Sequence, residues 1–279
     1  MIIRCYGARG SIPVSGKEYI KYGGDTTCIE VRSKNDEIIV VDAGSGIRRL
    51  GNKLIEEQRF ELTHIFTHSH WDHILGFPFF KPIYHEKANI NLIGCPLAQG
   101  DIKKILAQAM NPPFFPLSFD MLKANIQYTP ECMLSYRVGT IEIFPIKLSH
   151  PNLGSGYKFV EDGKTFVFLT DNELGYQHRG ARSFEEYAEF SENADLLLHD
   201  AEYTPDQYEL TRTWGHSTYI EALDLALAAN VKRFGLIHHN QDRTDTEQDA
   251  IVRKCKDIIR SKGNTMECFA LTQTFEFTL

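Results

Sequence analysis

The chain has 279 residues, 42% of them hydrophobic and 24% charged, with a formal net charge of −7 at neutral pH. That is the balance of an ordinary globular protein, long enough for one large domain with a substantial core. It excludes a protein that coats nucleic acid through bulk positive charge, and no apolar run approaches the ~20 residues of a membrane-spanning helix. The opening segment Met1 to Gly7 is too short for a secretory signal. The six cysteines (Cys5, Cys28, Cys95, Cys132, Cys255, Cys268) are scattered with no CxxC pair, so they read as reduced core thiols of a cytoplasmic protein.

In chain order, apolar runs at Cys28 to Arg32 and Ile38 to Asp42 flank a turn and predict a hairpin. Gly46 to Gln58 has helical spacing, with Ile47, Leu50, Leu54 and Ile55 on one face. A strand over Leu62 to Thr67 runs into Thr67-His68-Ser69-His70-Trp71-Asp72-His73. A strand at Asn89 to Gly94 precedes a helix over Leu97 to Met110. The proline-rich segment 111–116 beyond it must be a loop, and it carries Phe114 and Phe115. In the second half, strands are predicted over Ile141 to Leu148, Gly156 to Val160, Thr165 to Leu169, Asp195 to Leu198 and Lys232 to Ile237. Helices are predicted near Phe184 to Glu192, Thr218 to Ala229 and Thr246 to Ser261, with closing strands near Met266 to Leu271 and Thr274 to Phe277. Strands, then ligands at strand ends, then helices, twice over, predict two sheets packed face to face with helices outside, as one domain over 1–279.

The chemistry lies in the histidine-rich run and at the ends of later strands. Imidazole and carboxylate are the ligands that zinc and related divalent ions take, and His68 and His70 point to one side of an extended segment. His150, Asp171 and His238 each stand at the end of a predicted strand. His68, His70 and His150 can supply one metal site, Asp72, His73 and His238 a second, and Asp171 can bridge them. Alternation along the strand lets only one of His238 and His239 face the site, and His238 is the favoured one. His64 reads as a buried core histidine, His85 and His178 as solvated loop residues, and Arg179 and Arg182 as surface charge. Two ions about 3.5–4 Å apart would lower the pKa of a shared water and hold the attacking and leaving oxygens of a displacement.

The HxHxDH motif with later His, Asp and His resembles the metallo-β-lactamase-fold hydrolase superfamily over essentially the whole chain. The segments Gly7 to Pro13 and Asp42 to Arg48 are similar to its phosphodiesterase branch, and His199-Asp200-Ala201 and His216-Ser217-Thr218 resemble elements of its ribonuclease Z-like members. The resemblance implies an α/β fold, the four-layer αββα sandwich, with metals at one edge. It implies that Asp42 holds a ligand histidine and that Asp200 orients His216, the general acid, while Asp72 counts among both ligands and catalytic groups. Asp200 stands where those relatives have Glu, so a looser contact with His216 is expected.

The expected function is a two-metal phosphodiesterase acting on a small phosphodiester, foremost a 3′,5′-cyclic nucleotide, attacked by a hydroxide bridging two Zn or Mn ions (or Fe). Phe114 and Phe115 are candidates for lining the substrate pocket, reaching it within one chain or across a homodimer interface. The alternative is a ribonuclease Z-type tRNA 3′-end endonuclease. The glycine- and proline-rich arm that grips tRNA in that class has no counterpart here, and the acidic balance disfavours extended nucleic acid. A non-catalytic metal-binding scaffold is the reading from another class; retention of all seven ligand candidates and the Asp200–His216 pair disfavours it.

Overall fold

The computed structural model describes residues 1–95 and 100–279. Among the described residues, fourteen strands form two seven-stranded sheets. The first sheet contains β1 (Ile2–Gly7), β2 (Cys28–Arg32), β3 (Ile38–Val41), β4 (Glu61–Ile65), β5 (Asn89–Ile93), β6 (Asn125–Thr129) and β14 (Glu276–Thr278), ordered β14-β1-β2-β3-β4-β5-β6. The second contains β7 (Tyr136–Val138), β8 (Ile141–Lys147), β9 (Ser155–Glu161), β10 (Lys164–Leu169), β11 (Leu196–Asp200), β12 (Arg233–Ile237) and β13 (Glu267–Ala270), ordered β13-β12-β11-β10-β9-β8-β7.

Strand alternation explains the layering. Ile39 and Val41 of β3 and Phe166 and Phe168 of β10 meet in one core between the sheets. The opposite faces carry Ile38 and Val40 on one side and Val167 and Leu169 on the other, each against helices. Helix α1 (Ile47–Glu56) covers the first sheet with Ile47, Leu50 and Leu54, and is joined there by the single turn α2 (Trp71–Ile74) and α3 (Ile102–Ala109). The second sheet is covered by α4 (Phe184–Phe190), α6 (Tyr219–Ala228) and α7 (Asp245–Ser261), with the short α5 (Pro205–Thr211) beside them. This is the four-layer αββα sandwich expected from the motifs. Capping boxes start α4, α5, α6 and α7, from Ser183, Thr204, Thr218 and Thr244. The first residues of the helix expected over Leu97 to Met110 lie outside the described residues. Among the described residues no helix is long and apolar enough to cross a membrane.

The thiol reading needs a correction. Cys5, Cys28, Cys255 and Cys268 are free and buried, but Cys95 and Cys132 form a disulfide. Strands β5 and β6 are parallel neighbours, with Ile93 opposite Thr129, so the chain leaves both at one edge and brings the two cysteines together. Their separation of 37 residues hides that pairing in the sequence. The argument for a cytoplasmic location from reduced thiols therefore lapses for this pair.

Candidate metal centre

The site is built where strands of both sheets end. The segment after β4 supplies His68, His70, Asp72 and His73; the ends of β8, β10 and β12 supply His150, Asp171 and His238. Ligand atoms of His68, His70, His150 and Asp171 lie within 4.8 Å of one another, as do those of Asp72, His73, Asp171 and His238. The structure thus brings together all seven residues singled out in the sequence, in the two groups expected, with Asp171 in both. Asp42, Asp171 and His238 adopt left-handed backbone conformations (φ 62°, 52° and 59°) within two residues of the ends of their strands. That turn swings the side chain off the strand line, and for a residue with a Cβ it costs roughly 1–2 kcal/mol. Gly10 makes room opposite: a Cβ there would come within 2.3 Å of the His238 ring.

Outer hydrogen bonds fix which nitrogen each ring presents to the centre. His73 Nδ1 donates to Asp42 Oδ2 at 2.8 Å, His238 Nδ1 to Glu202 Oε2 at 2.8 Å, and His150 Nδ1 to the Gly215 carbonyl at 2.9 Å. The Thr67 hydroxyl donates to Asp42 at 2.8 Å, which leaves it to accept from His68 Nδ1 at 3.1 Å. All four rings therefore turn Nε2 inward, the atom that each would offer to a metal ion in its neutral form. The Nε2 atoms of His68 and His73 are buried with no hydrogen-bond partner. His73 Nε2 is 3.2 Å from Asp171 Oδ1 and 3.3 Å from Asp72; His238 Nε2 is 3.2 Å from Asp72 and 3.4 Å from Asp171 Oδ2. Imidazole nitrogens and carboxylates converging at such distances, out of water, require positive charge among them, from protons on the rings or from a bound cation. The residues present fit divalent ions.

The electrostatics divide the centre. Burial drives His68 well below the usual imidazole range, with the nearby His73 charge adding to it, and brings His150 down to about 3. Burial works the same way on His73 and His238, but Asp171 and the other carboxylates around them prevail and hold both well above that range. Asp72 and Asp171 are buried, which favours the acid form, yet the adjacent histidines keep both well below the usual carboxylate range.

His216 and Asp200 lie beside this cluster. His216 Nδ1 donates to Asp200 Oδ2 at 2.6 Å, and its ring stacks on His238 at 4.5 Å and meets His150 edge-on at 5.2 Å. The looser contact expected from the shorter aspartate is not observed. Burial alone would lower the His216 pKa; the charges of Glu202 and Asp200 overcome it and raise it to about 9. His239 faces away, donating Nε2 to the Leu271 carbonyl.

The remaining residues named from the sequence divide between core and surface. His64 is fully buried, its Nε2 near the Asp42 carbonyl. His85 is not simply solvated but stacks on Phe60 at 4.1 Å, and His178 is tied to Glu173 at 2.9 Å. Phe115 packs edge-on against Phe79 in the helix-side core of the first sheet, and Phe114 is exposed beside it; neither belongs to the two ligand groups. Sequence reasoning missed Glu202, buried and bonded to His238 and Asn240, and Thr67, the hub between Asp42 and His68. It also missed the Ser11 amide, which donates to Asp72 at 2.9 Å. Glu202 stands two residues beyond Asp200 at a strand exit, the one signal that could have flagged it.

The sequence profile described as the beta-lactamase superfamily domain matches residues 37–239, most of this chain and all seven candidate ligands. The chain belongs to that superfamily. Ribonuclease Z of Haloarcula marismortui is 25% identical over 302 aligned positions, covering 92% of this chain and 91% of that one. Among solved structures, the metallo-beta-lactamase fold protein YhfI from Bacillus subtilis superposes with a TM-score of 0.74 at 19% identity, covering 99% of this chain and 98% of its own. The short form of human tRNase Z superposes with a TM-score of 0.65 at 17% identity, covering 100% and 99%. The fold is the metallo-β-lactamase fold, and the protein is a metal-dependent hydrolase similar in sequence to ribonucleases Z.

Proposed function

We propose that this hydrolase is a two-metal phosphodiesterase. In this reading His68, His70 and His150 hold one ion and Asp72, His73 and His238 the other, with Asp171 between; the mixed imidazole and carboxylate set suits zinc or manganese, with iron a further candidate. Bound divalent ions neutralise phosphoryl oxygens and lower the pKa of water. Asp42 and Glu202 keep the ligand rings in the required tautomer, and Asp200 orients and charges His216. His216 then donates its proton to the departing oxygen.

The observation that carries the reading is the His216–Asp200 pair at 2.6 Å, packed against His150 and His238. A buried imidazole that a carboxylate orients and favours in its protonated form, beside a metal centre, serves a leaving group that departs badly as an alkoxide, as a phosphodiester's does. A scaffold that only bound metal would gain nothing from it.

Between phosphodiesters, the sequence-based preference is reversed. The relatives by sequence are ribonucleases Z, which supports an RNA 3′-end endonuclease as the first reading. A small cyclic nucleotide is the second, supported by one observation. Among the described residues the long stretches between the strands and α-helices at residues 8–27, 110–124 and 170–183 are each hydrogen-bonded back to the rest of the chain, through Arg9, Lys123 and Glu173, and none stands out as an RNA-gripping arm. Purified protein with manganese or zinc, assayed on bis-p-nitrophenyl phosphate, a precursor tRNA and a panel of 3′,5′-cyclic nucleotides, tests all of this. Efficient precursor cleavage with a steep fall in affinity as salt rises supports the first reading. Turnover confined to cyclic nucleotides supports the second, and no turnover of any phosphodiester refutes the proposal.

A further inference from the structure

The chain has two tryptophans, and both are left in water beside the metal centre. Trp71 is 62% exposed and Trp214 is 61% exposed. An indole is among the largest apolar surfaces a protein can bury, so leaving two exposed in one place calls for a reason. They are in one place although far apart in the sequence. Trp71 directly follows His70; His70 Nδ1 is 2.8 Å from His150 Nε2; His150 Nδ1 donates to the Gly215 carbonyl at 2.9 Å; and Trp214 directly precedes Gly215. Two imidazole rings bridge the backbones that carry the two indoles.

The Trp214 backbone is held firmly. The amides of Thr213 and Gly215, on either side of it, donate to the two oxygens of the buried Glu173 carboxylate at 2.7 and 2.8 Å. Gly215, at φ 97°, runs so close to His150 that a Cβ would come within 2.0 Å of its Nδ1. The loop therefore cannot draw back from the centre, and its next residue is His216. A third ring stands nearby. The carbonyl of Tyr176, a residue 39% exposed, accepts from the Ser149 hydroxyl at 2.6 Å, and the Arg212 guanidinium lies 6.0 Å over its ring.

We infer that Trp71 and Trp214 form a stacking platform for the nucleobases on either side of the scissile phosphate. This rests on the phosphodiesterase reading above and names its substrate class as nucleotides. A phosphate seated at the ligand cluster must send its nucleosides outward over the rim, where flat apolar faces on fixed backbones meet them. Stacking on an indole is open to every base, because each has a π-face, so the platform recognises a nucleotide without selecting its sequence.

Intrinsic fluorescence tests this directly, since there are only two indoles. Trp71→Phe leaves Trp214 as the sole reporter, and Trp214→Phe leaves Trp71. Adenosine monophosphate should quench each reporter saturably, and ribose 5-phosphate should not. In parallel, the kcat/KM ratio of the p-nitrophenyl ester of thymidine 5′-monophosphate over methyl p-nitrophenyl phosphate should fall roughly 5- to 150-fold in at least one Trp→Ala variant, the one whose indole meets the single base of that substrate. The Phe variant at that position should recover most of it. Equal quenching by both ligands, no quenching, or a ratio unchanged in both Ala variants overturns the inference. So does a fluorescence change that tracks protein concentration instead of nucleotide, which assigns the indoles to a contact between copies. Failure of the unaltered protein to cleave any phosphodiester strikes the phosphodiesterase reading instead, and the quenching then decides the platform alone.

Discussion

Replacing Asp42 with Asn changes one atom type and should disable a ligand that Asp42 never shares with the ion. Asp42 is fully buried, with Oδ1 accepting from the Thr67 amide at 2.7 Å. Its Oδ2 accepts from both the Thr67 hydroxyl and His73 Nδ1 at 2.8 Å. An amide of the same shape can offer only one oxygen. If that oxygen stays on the Thr67 amide, the NH2 group faces two donors. The conflict with His73 is relieved only when that ring moves its proton from Nδ1 to Nε2, the atom aimed at the centre. If the amide turns over, the Thr67 amide loses its acceptor in a buried position. Either way one charge-assisted hydrogen bond is lost, worth about 1.5–3 kcal/mol. Metal affinity should fall on the order of 10- to 100-fold, the usual penalty for losing such a supporting group. Chelator competition on the reconstituted protein measures the affinity, and thermal unfolding without metal measures the stability term. An Asn variant that keeps the affinity and unfolding temperature of the unaltered protein refutes the tautomer argument, and with it the assignment of His73 Nε2 to the ion.

The same geometry sets the outcome of other perturbations. Asp171→Ala removes the carboxylate shared by both ligand groups, so activity should be abolished and metal content should drop below two ions while the circular dichroism spectrum is retained; a variant still holding two ions counts against bridging. His216→Ala should lose on the order of 10²–10⁴ in rate on an alkyl phosphodiester and far less on a p-nitrophenyl ester. Equal losses would reduce His216 to a binding role. Each ligand group draws on both sheets, so saturating metal should stabilise the whole sandwich by about 4 kcal/mol at a thousandfold excess over Kd. A melting temperature indifferent to chelation would show that no ion is held there.

Much of the site was legible because its ligands sit where apolar strands stop. A His or Asp after a run such as Phe166 to Leu169 or Phe234 to Ile237 interrupts a buried pattern, and that interruption is visible in one dimension. The HxHxDH run is denser still. Glu202 and Thr67 left no such mark, since each is one more polar residue in a polar stretch and acquires its role only through a partner from another strand. The left-handed turns at Asp42, Asp171 and His238 are invisible for the same reason. In the fold, most strands with a buried face were read to within a residue or two, whereas β1, weighed only as a possible signal segment, went unread, as did β6 and β7. The half-exposed positions of β6 and β7 on outer strands carry too few apolar residues for period-two alternation to show. The Cys95–Cys132 pairing required knowing that β5 and β6 are neighbours, which is register, not composition.

The strained backbone and the buried charge have one cause. Asp72, Asp171 and Glu202 bring three carboxylates into a space shared with five imidazoles, almost without water. Left unpaired, such a group would oppose folding by several kcal/mol per ion. Ordinary strand geometry would point the strand-end side chains apart along the sheet, relieving the repulsion but dispersing the centre. The left-handed residues after β3, β10 and β12 do the opposite, gathering the groups at a cost of roughly 1–2 kcal/mol each. Such an arrangement persists only where the surrounding packing over-determines it, and here the inter-sheet core and the helix-side cores lock every strand that carries a ligand. Without metal, protons on His73 and His238 supply the missing positive charge, as their raised pKa values indicate. Divalent ions would displace those protons. The same convergence that makes this edge the least comfortable part of the fold gives it the capacity to hold two ions over a phosphate.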